Sequence, residues 1–183
     1  MTQADDKCRM DLLHGTADFQ LIMGPPGTGK TSRTLRDITA ENLARGATLL
    51  LMAYTNQAVD EICTMLTEVY PHFVRIGNEN ACALPHRTRM MQNVVRSASN
   101  RQAIKTLLNG IRVFVGTVSA LTGCHELFAL RKFDLTVVDE ASQVLEPQIV
   151  PLLCRVGRFI LIGDHKQLPA VVVQPRELCE VND

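Results

Sequence analysis

Apolar residues recur along this chain in two rhythms, short unbroken runs and longer helical stripes, and the two alternate. Leu21-Ile22-Met23 is the first run. Beyond the glycine-rich stretch that follows it, Leu35, Ile38 and Leu43 share one helical face, ended by the cationic Arg45 and by Gly46. Thr48 to Ala53 reads as a buried strand. Asn56 is expected to cap a second helix, with Asp60 and Glu61 in its first turns and Ala58, Ile62, Met65, Leu66 and Val69 as its apolar stripe. Phe73-Val74-Arg75-Ile76, Arg112 to Thr117, Leu135 to Val138 and Phe159 to Ile162 follow as further short strands. Strands separated by helices predict an α/β domain, three layers built on a mainly parallel sheet.

The stretch 77–110 breaks this rhythm. From Asn80 to His125 there is no acid, and Arg87, Arg89, Arg96, Arg101, Lys105 and Arg112 make six positive charges between Glu79 and Glu126. Two readings stand side by side. Such an insert can touch a nucleic-acid backbone, or it can be a solvated helical face with Met90, Met91, Val94 and Val95 packed beneath it.

Composition narrows the partners. The 183 residues suffice for one sizeable core, and 19 acids balance 19 Lys and Arg, so no global field draws the chain to a polyanion. The longest apolar runs fall far short of a membrane span, and Met1 to Asp6 does not read as a signal peptide. The expectation is a soluble protein of the cytoplasm, or of the nucleus in a eukaryote, without a membrane partner. Cys8, Cys63, Cys82, Cys124, Cys154 and Cys179 form no C-x-x-C pair, which argues against zinc or iron-sulfur clusters and for reduced, packed thiols. With two tyrosines and no tryptophan, candidates for stacking on bases are few.

Chemistry concentrates in two places. Gly24-Pro25-Pro26-Gly27-Thr28-Gly29-Lys30-Thr31 fits G-x-x-x-x-G-K-[ST] between an apolar run and a helical pattern. Its glycines let successive N–H groups curl around phosphate oxygens at a helix N-terminus. Lys30 would neutralise the β and γ phosphates, and Thr31 would place its hydroxyl on Mg²⁺. The strand Leu135-Thr136-Val137-Val138 delivers Asp139 and Glu140 at its C-terminal end, the Walker B arrangement: Asp139 would hold Mg²⁺ and Glu140 would deprotonate the attacking water.

Three further motifs complete an ordered set: Ala53-Tyr54-Thr55-Asn56-Gln57-Ala58-Val59-Asp60, Val115-Gly116-Thr117-Val118 and Gly163-Asp164-His165-Lys166-Gln167-Leu168-Pro169. With the P-loop and Asp139-Glu140-Ala141-Ser142-Gln143, they resemble motifs I, Ia, Ic, II and III of superfamily 1 helicases. The subgroup they resemble is the 5′-to-3′ one that includes Upf-type RNA helicases and Dna-two-type replication helicase-nucleases. The resemblance covers roughly 20–173 and implies a RecA-like P-loop NTPase domain over 20–183, with 1–19 as a lead-in and a basic helical insert at about 77–110.

The resemblance implies the first of two motor domains of an enzyme that couples ATP hydrolysis to translocation along single-stranded nucleic acid, DNA rather than RNA. Gly24 to Thr31 would bind ATP, Thr31 and Asp139 the Mg²⁺, and Lys30, Glu140 and Gln167 would act in hydrolysis, Gln167 by sensing the γ-phosphate. Thr55, Asn56, Thr117 and Val118 would meet the strand, while Ser142 and Gln143 would link the metal site to it. The family usually carries an adenine-reading glutamine upstream of the P-loop, where only Gln20 stands here. The second RecA-like domain, source of arginine fingers and half the strand track, is expected outside these residues. Two alternatives stay open: a protein-remodelling ATPase of the AAA type, which can share the same P-loop, and a non-enzymatic nucleotide-binding module.

Overall fold

A computed structural model describes residues 18–23 and 33–164. The strands are β1 (Phe19–Met23), β2 (Leu49–Ala53), β3 (Phe73–Ile76), β4 (Val113–Thr117), β5 (Leu135–Val138) and β6 (Phe159–Gly163). They form one sheet of six strands in the order β1-β6-β5-β2-β4-β3, every pairing parallel. The helices are α1 (Leu35–Ala44), α2 (Asn56–Val69), α3 (Met91–Val95), α4 (Arg101–Gly110), α5 (Val118–Thr122), α6 (His125–Leu130) and α7 (Glu146–Leu153). Among the described residues, no helix is long and apolar enough to cross a membrane.

Alternate strand residues feed two separate cores, which is why the strands read as continuous apolar runs. Leu49, Leu51, Ala53, Val113, Val115, Leu135 and Val137 pack under α1 and α2 with Leu35, Ile38, Ile62 and Leu66. Leu50, Met52, Val74, Phe114 and Val138 pack on the other face with Leu108, Leu121, Leu127, Phe133 and Leu152. Phe133 meets Phe114 edge-on at 5.7 Å and Phe128 at 6.1 Å.

Helix ends follow local chemistry, with one revision. Gly46 takes φ +83° just after α1, a left-handed turn that a side chain would strain. Thr55, and not Asn56, caps α2: its hydroxyl accepts the Ala58 N–H at 3.1 Å, and Asn56 is the first helical residue. Thr117 repeats the device on α5, accepting from Ala120 N–H at 3.1 Å.

The stretch 77–110 wraps the outer edge of β3. It begins as 3-10 turns at Glu79–Ala81 and Leu84–Arg89. His86 of the second turn meets Thr64 of α2 at 3.1 Å. The chain then crosses the edge at Met90, fully buried and bridged in parallel to Arg75, so that α3 and α4 pack on the opposite core. Covering an edge strand removes an open ladder of backbone donors and acceptors. The positive run divides accordingly. Arg87 Nε donates to Cys82 O at 3.3 Å, Arg89 lies 5.1 Å over Phe73, and Arg112 donates to Leu43 O at 2.9 Å. Arg96, Arg101 and Lys105 are exposed.

Candidate functional site

In a parallel sheet every strand points its C-terminal end the same way, and chemistry collects there. The strand order divides that edge in two. β1, β6 and β5 lie side by side, followed in sequence by the Gly24–Thr31 motif, by Asp164 and by Asp139-Glu140. β2, β4 and β3 form the other half, followed by Thr55-Asn56, by Val118 and by Gly77-Asn78. Gly24, Pro25, Pro26, Gly27, Thr28, Gly29, Lys30, Thr31 and Gln167 lie outside the described residues, so their expected roles receive no geometry. Their starting points are nevertheless fixed. Met23 pairs with Gly163, and Val138 with Leu161, so β6 runs between the strand that precedes the glycine motif and the strand that precedes the acids. Two strand spacings separate those flanking strands, about 10 Å.

Asp139 is 3% exposed, and its N–H continues the ladder by donating to Met52 O at 2.7 Å. The chain then reverses sharply. Glu140 has φ 52° and ψ 36°, the left-handed region that costs a residue with a side chain free energy. Its N–H donates to Asp139 Oδ1 at 3.0 Å, and its carbonyl accepts from Gln143 N–H at 2.9 Å. This turn lays Ala141–Gln143 onto the end of β6: a β-carbon on Gly163 would sit 3.2 Å from Ser142 N, and Asp164 N–H reaches Ser142 Oγ at 3.5 Å. Ser142 thus ties the two acids to the strand that leads into His165-Lys166-Gln167.

The Glu140 carboxyl is pushed above its ordinary range, chiefly by burial, then by the negative charges of Asp139 and Glu61. Its Oε2 is buried and accepts no hydrogen bond among the described residues. A carboxyl so placed has raised basicity and a free lone pair. A buried oxygen-only donor set of this kind suits a hard cation such as Mg²⁺, so Asp139 and Glu140 fit the group that the resemblance implies. The described residues hold no cluster of three or more His, Cys, Asp or Glu that could hold a metal ion.

The other half of the edge is a cleft of about 660 Å³ lined by Asn56, Ile76, Gly77, Asn78, Thr117, Ser119 and the start of α6. Its polar groups are the amides of Asn56 and Asn78, the hydroxyls of Thr117 and Ser119 and, at its α6 side, the Glu126 carboxylate; the amides, the hydroxyls and the N–H groups at the starts of α2 and α5 are suited to phosphate oxygens, the carboxylate is not. Asn56 is exposed and Thr117 only 9% exposed. Val118 is 2% exposed, packs with Leu121 in the core and is not among the residues that line this cleft. None of the six positive residues lines the cleft. Sequence reasoning missed Asn78 and Ser119, which follow β3 and open α5, and Arg75, a buried cation beneath Asn56. The lone charge inside the apolar run Phe73-Val74-Arg75-Ile76 was the available signal for the last.

This chain is similar to known proteins. A family model described as an AAA domain matches residues 3–103 and 83–175. The DNA replication ATP-dependent helicase/nuclease DNA2 of Xenopus laevis is 34% identical over 165 residues, 88% of this chain and 15% of that protein. The corresponding helicase/nuclease JHS1 of Arabidopsis thaliana is 35% identical over 155 residues, 85% of this chain and 11% of that protein. The chain therefore spans about a seventh or less of the length of these relatives. Among solved structures, the UvsW helicase of bacteriophage T4 superposes with a TM-score of 0.54 at 14% identity, over 79% of this chain and 46% of that one. The arterivirus nonstructural protein 10 helicase, solved with DNA, gives 0.53 at 18% identity, over 92% and 33%. These likenesses are of fold, and they make the sheet that of a RecA-like domain.

Proposed function

The chain belongs to the AAA domain family, and from that premise we propose that it is the first motor domain of an ATP-dependent DNA helicase, using ATP hydrolysis to move along single-stranded DNA. The observation that carries the proposal is the division of one sheet edge into a half that ends in Asp139-Glu140 and a half whose cleft presents the amides and hydroxyls of Asn56, Asn78, Thr117 and Ser119, joined where Asp139 N–H bonds to Met52 O, three residues before Thr55. The relatives named as DNA replication helicase/nucleases favour DNA over RNA as the strand.

In this reading Gly24 to Thr31 cradle the phosphates of ATP, and Lys30 offsets their charge. Thr31 and Asp139 would hold Mg²⁺, which would supply neutralisation of the phosphate charge. Glu140, its basicity raised by burial, takes the proton of the attacking water. Gln167, reached from the strand between the P-loop strand and the acids, responds to the γ-phosphate. Ser142 passes that response to the Asp139-Glu140 turn through Asp164. On the other half, Thr55, Asn56 and Thr117, with the backbone N–H groups at Val118, contact phosphates of the strand without reading bases. Residues 20–183 are the RecA-like unit, the wrap at 77–110 is its insert, and a second RecA-like domain supplies the arginines that complete the nucleotide site.

The test is unwinding by the full-length protein of a DNA duplex bearing a 5′ single-stranded tail. The proposal expects strand separation that needs ATP, Mg²⁺ and the tail. Tail-independent ATP hydrolysis with no strand separation would overturn it.

A further inference from the structure

Arg75 is 1% exposed in the middle of a sheet strand, where an uncompensated charge is costly to bury. It faces α2, the side on which Phe73 also packs. Its guanidinium pairs with the Asp60 carboxylate one turn into α2. A second nitrogen, Nη2, donates to Asn56 Oδ1 at 3.3 Å and to Ala81 O at 3.4 Å. Asp60 is held in turn by the Ala83 N–H, at 3.3 and 3.4 Å from its two oxygens. One buried cation thus ties together β3, the first turns of α2 and the first turns of the edge wrap. Burial lowers its pKa from the ordinary arginine value, although a guanidinium stays charged over the working range.

An asparagine amide has one accepting and one donating end, and which end faces solvent depends on what holds the other. Here the accepting Oδ1 is turned inward to a cation that can only donate. Asn56 is exposed and lines the cleft, so its Nδ2, with two N–H donors, is the end left for that cleft. We infer that Arg75 is a positioning residue for strand binding: it fixes the polarity of Asn56 so that the amide presents donors to a DNA phosphate. Arg75 itself does not reach the strand. This rests on the proposed reading of Asn56 as a strand contact.

The test measures affinity of the full-length protein for single-stranded DNA across a salt series, with MgADP affinity recorded on the same samples. The variants are Asn56→Ala, Arg75→Gln, Arg75→Lys, and each Arg75 change combined with Asn56→Ala. Arg75→Lys keeps a charge for Asp60 but loses the planar fork that serves Asn56 at the same time, so it carries the test even where Arg75→Gln does not fold. Asn56→Ala removes a hydrogen bond to a charged group and is expected to weaken strand binding about tenfold or more. Both Arg75 variants should approach that loss, leave MgADP affinity unchanged, and add less than about twofold in the Asn56→Ala background. The slope of log affinity against log salt should stay at the wild-type value, because no phosphate contact by a cation is lost.

Three results overturn the inference while leaving the strand reading of Asn56 intact. They are wild-type strand binding by Arg75→Lys, a full additional loss in the double variants, and a slope reduced by about 0.7, the value of one neutralised phosphate on a single strand. A parallel fall in MgADP affinity would also overturn it, by making Arg75 generally structural. Wild-type binding by Asn56→Ala is the separate result that overturns the reading beneath it, and the inference with it.

Discussion

Replacing the proposed general base by glycine should make this domain more stable while removing its chemistry. Glu140 sits at φ 52° and ψ 36°, a conformation that costs a residue with a β-carbon about 1–2 kcal/mol. Glycine escapes that cost but loses roughly 0.5–1 kcal/mol more chain entropy on folding. The net gain for Glu140→Gly is therefore about 0.5–1 kcal/mol, or roughly 1–4 °C in melting temperature for a chain of this length. A second, pH-dependent contribution comes from the carboxylate. Its folded pKa is raised, first by burial and then by Asp139 and Glu61, so the ionised form is the less stable one in the fold. The resulting destabilisation is present above the folded pKa and disappears as pH falls below the unfolded value of about 4.3. Glu140→Gln keeps the shape and the backbone strain but has no charge. It should exceed wild type in stability near neutral pH and match it in acid. Urea denaturation of the three proteins without Mg²⁺ or nucleotide, at neutral and acid pH, separates the two contributions. A Glu140→Gly protein less stable than wild type by about 1 kcal/mol or more would refute the reasoning, because the turn would then be held by Glu140 side-chain contacts and not despite its backbone.

Further outcomes follow from the same geometry. MgADP at about a hundred times its dissociation constant should stabilise the chain by roughly 2.7 kcal/mol, a rise of about 5 to 11 °C in melting temperature, and Lys30→Ala should lose most of it; calorimetry or dye-based melting reads both. Phe114 is fully buried, edge-on to Phe133 and capped by the Arg131 guanidinium at 5.4 Å, so Phe114→Ala should cost about 3–5 kcal/mol in urea denaturation. Replacing the exposed Arg96, Arg101 and Lys105 with Gln should leave the salt slope of strand binding unchanged, since none of them lines the cleft; a slope lower by about 0.7 per residue would put them on phosphate.

Much of this arrangement was legible because each strand is buried on both faces and each long helix carries a single apolar stripe. The runs around Leu50, Phe114 and Val137 could hardly be anything but central strands, and the stripe from Ala58 to Val69 marked α2 almost to the residue. What stayed hidden depends on contacts distant in sequence. Adjacency of β6 to both β1 and β5 arises from crossovers over 135 and 20 residues, which no local pattern encodes. Helices α5 and α6, of five and six residues, are too short to show a period. Helix α7 contains Pro151, which suppresses a helical reading of its sequence. In the site, the acids and the hydroxyl and amide residues announced themselves by motif, but their mechanics did not. Thr55 caps α2 because its hydroxyl reaches the Ala58 N–H, and this frees Asn56 to turn its amide toward Arg75. Arg75 stands in sequence as a lone charge in an apolar run, and its partner Asp60 lies on another element. The basic run looked uniform as sequence, yet Arg87, Arg89 and Arg112 are spent on carbonyls and rings.

The central claim is that one sheet edge couples an ATP site at Glu140 to a DNA strand at Asn56. It is tested most directly by steady-state ATP hydrolysis of the full-length protein, wild type and Glu140→Gln, with and without single-stranded DNA. The account predicts wild-type turnover that single strands stimulate, and a Glu140→Gln protein that still binds MgATP but hydrolyses it at least about a hundredfold more slowly, the scale of a lost general base. Turnover by Glu140→Gln equal to wild type, or wild-type turnover indifferent to the strand, would contradict it.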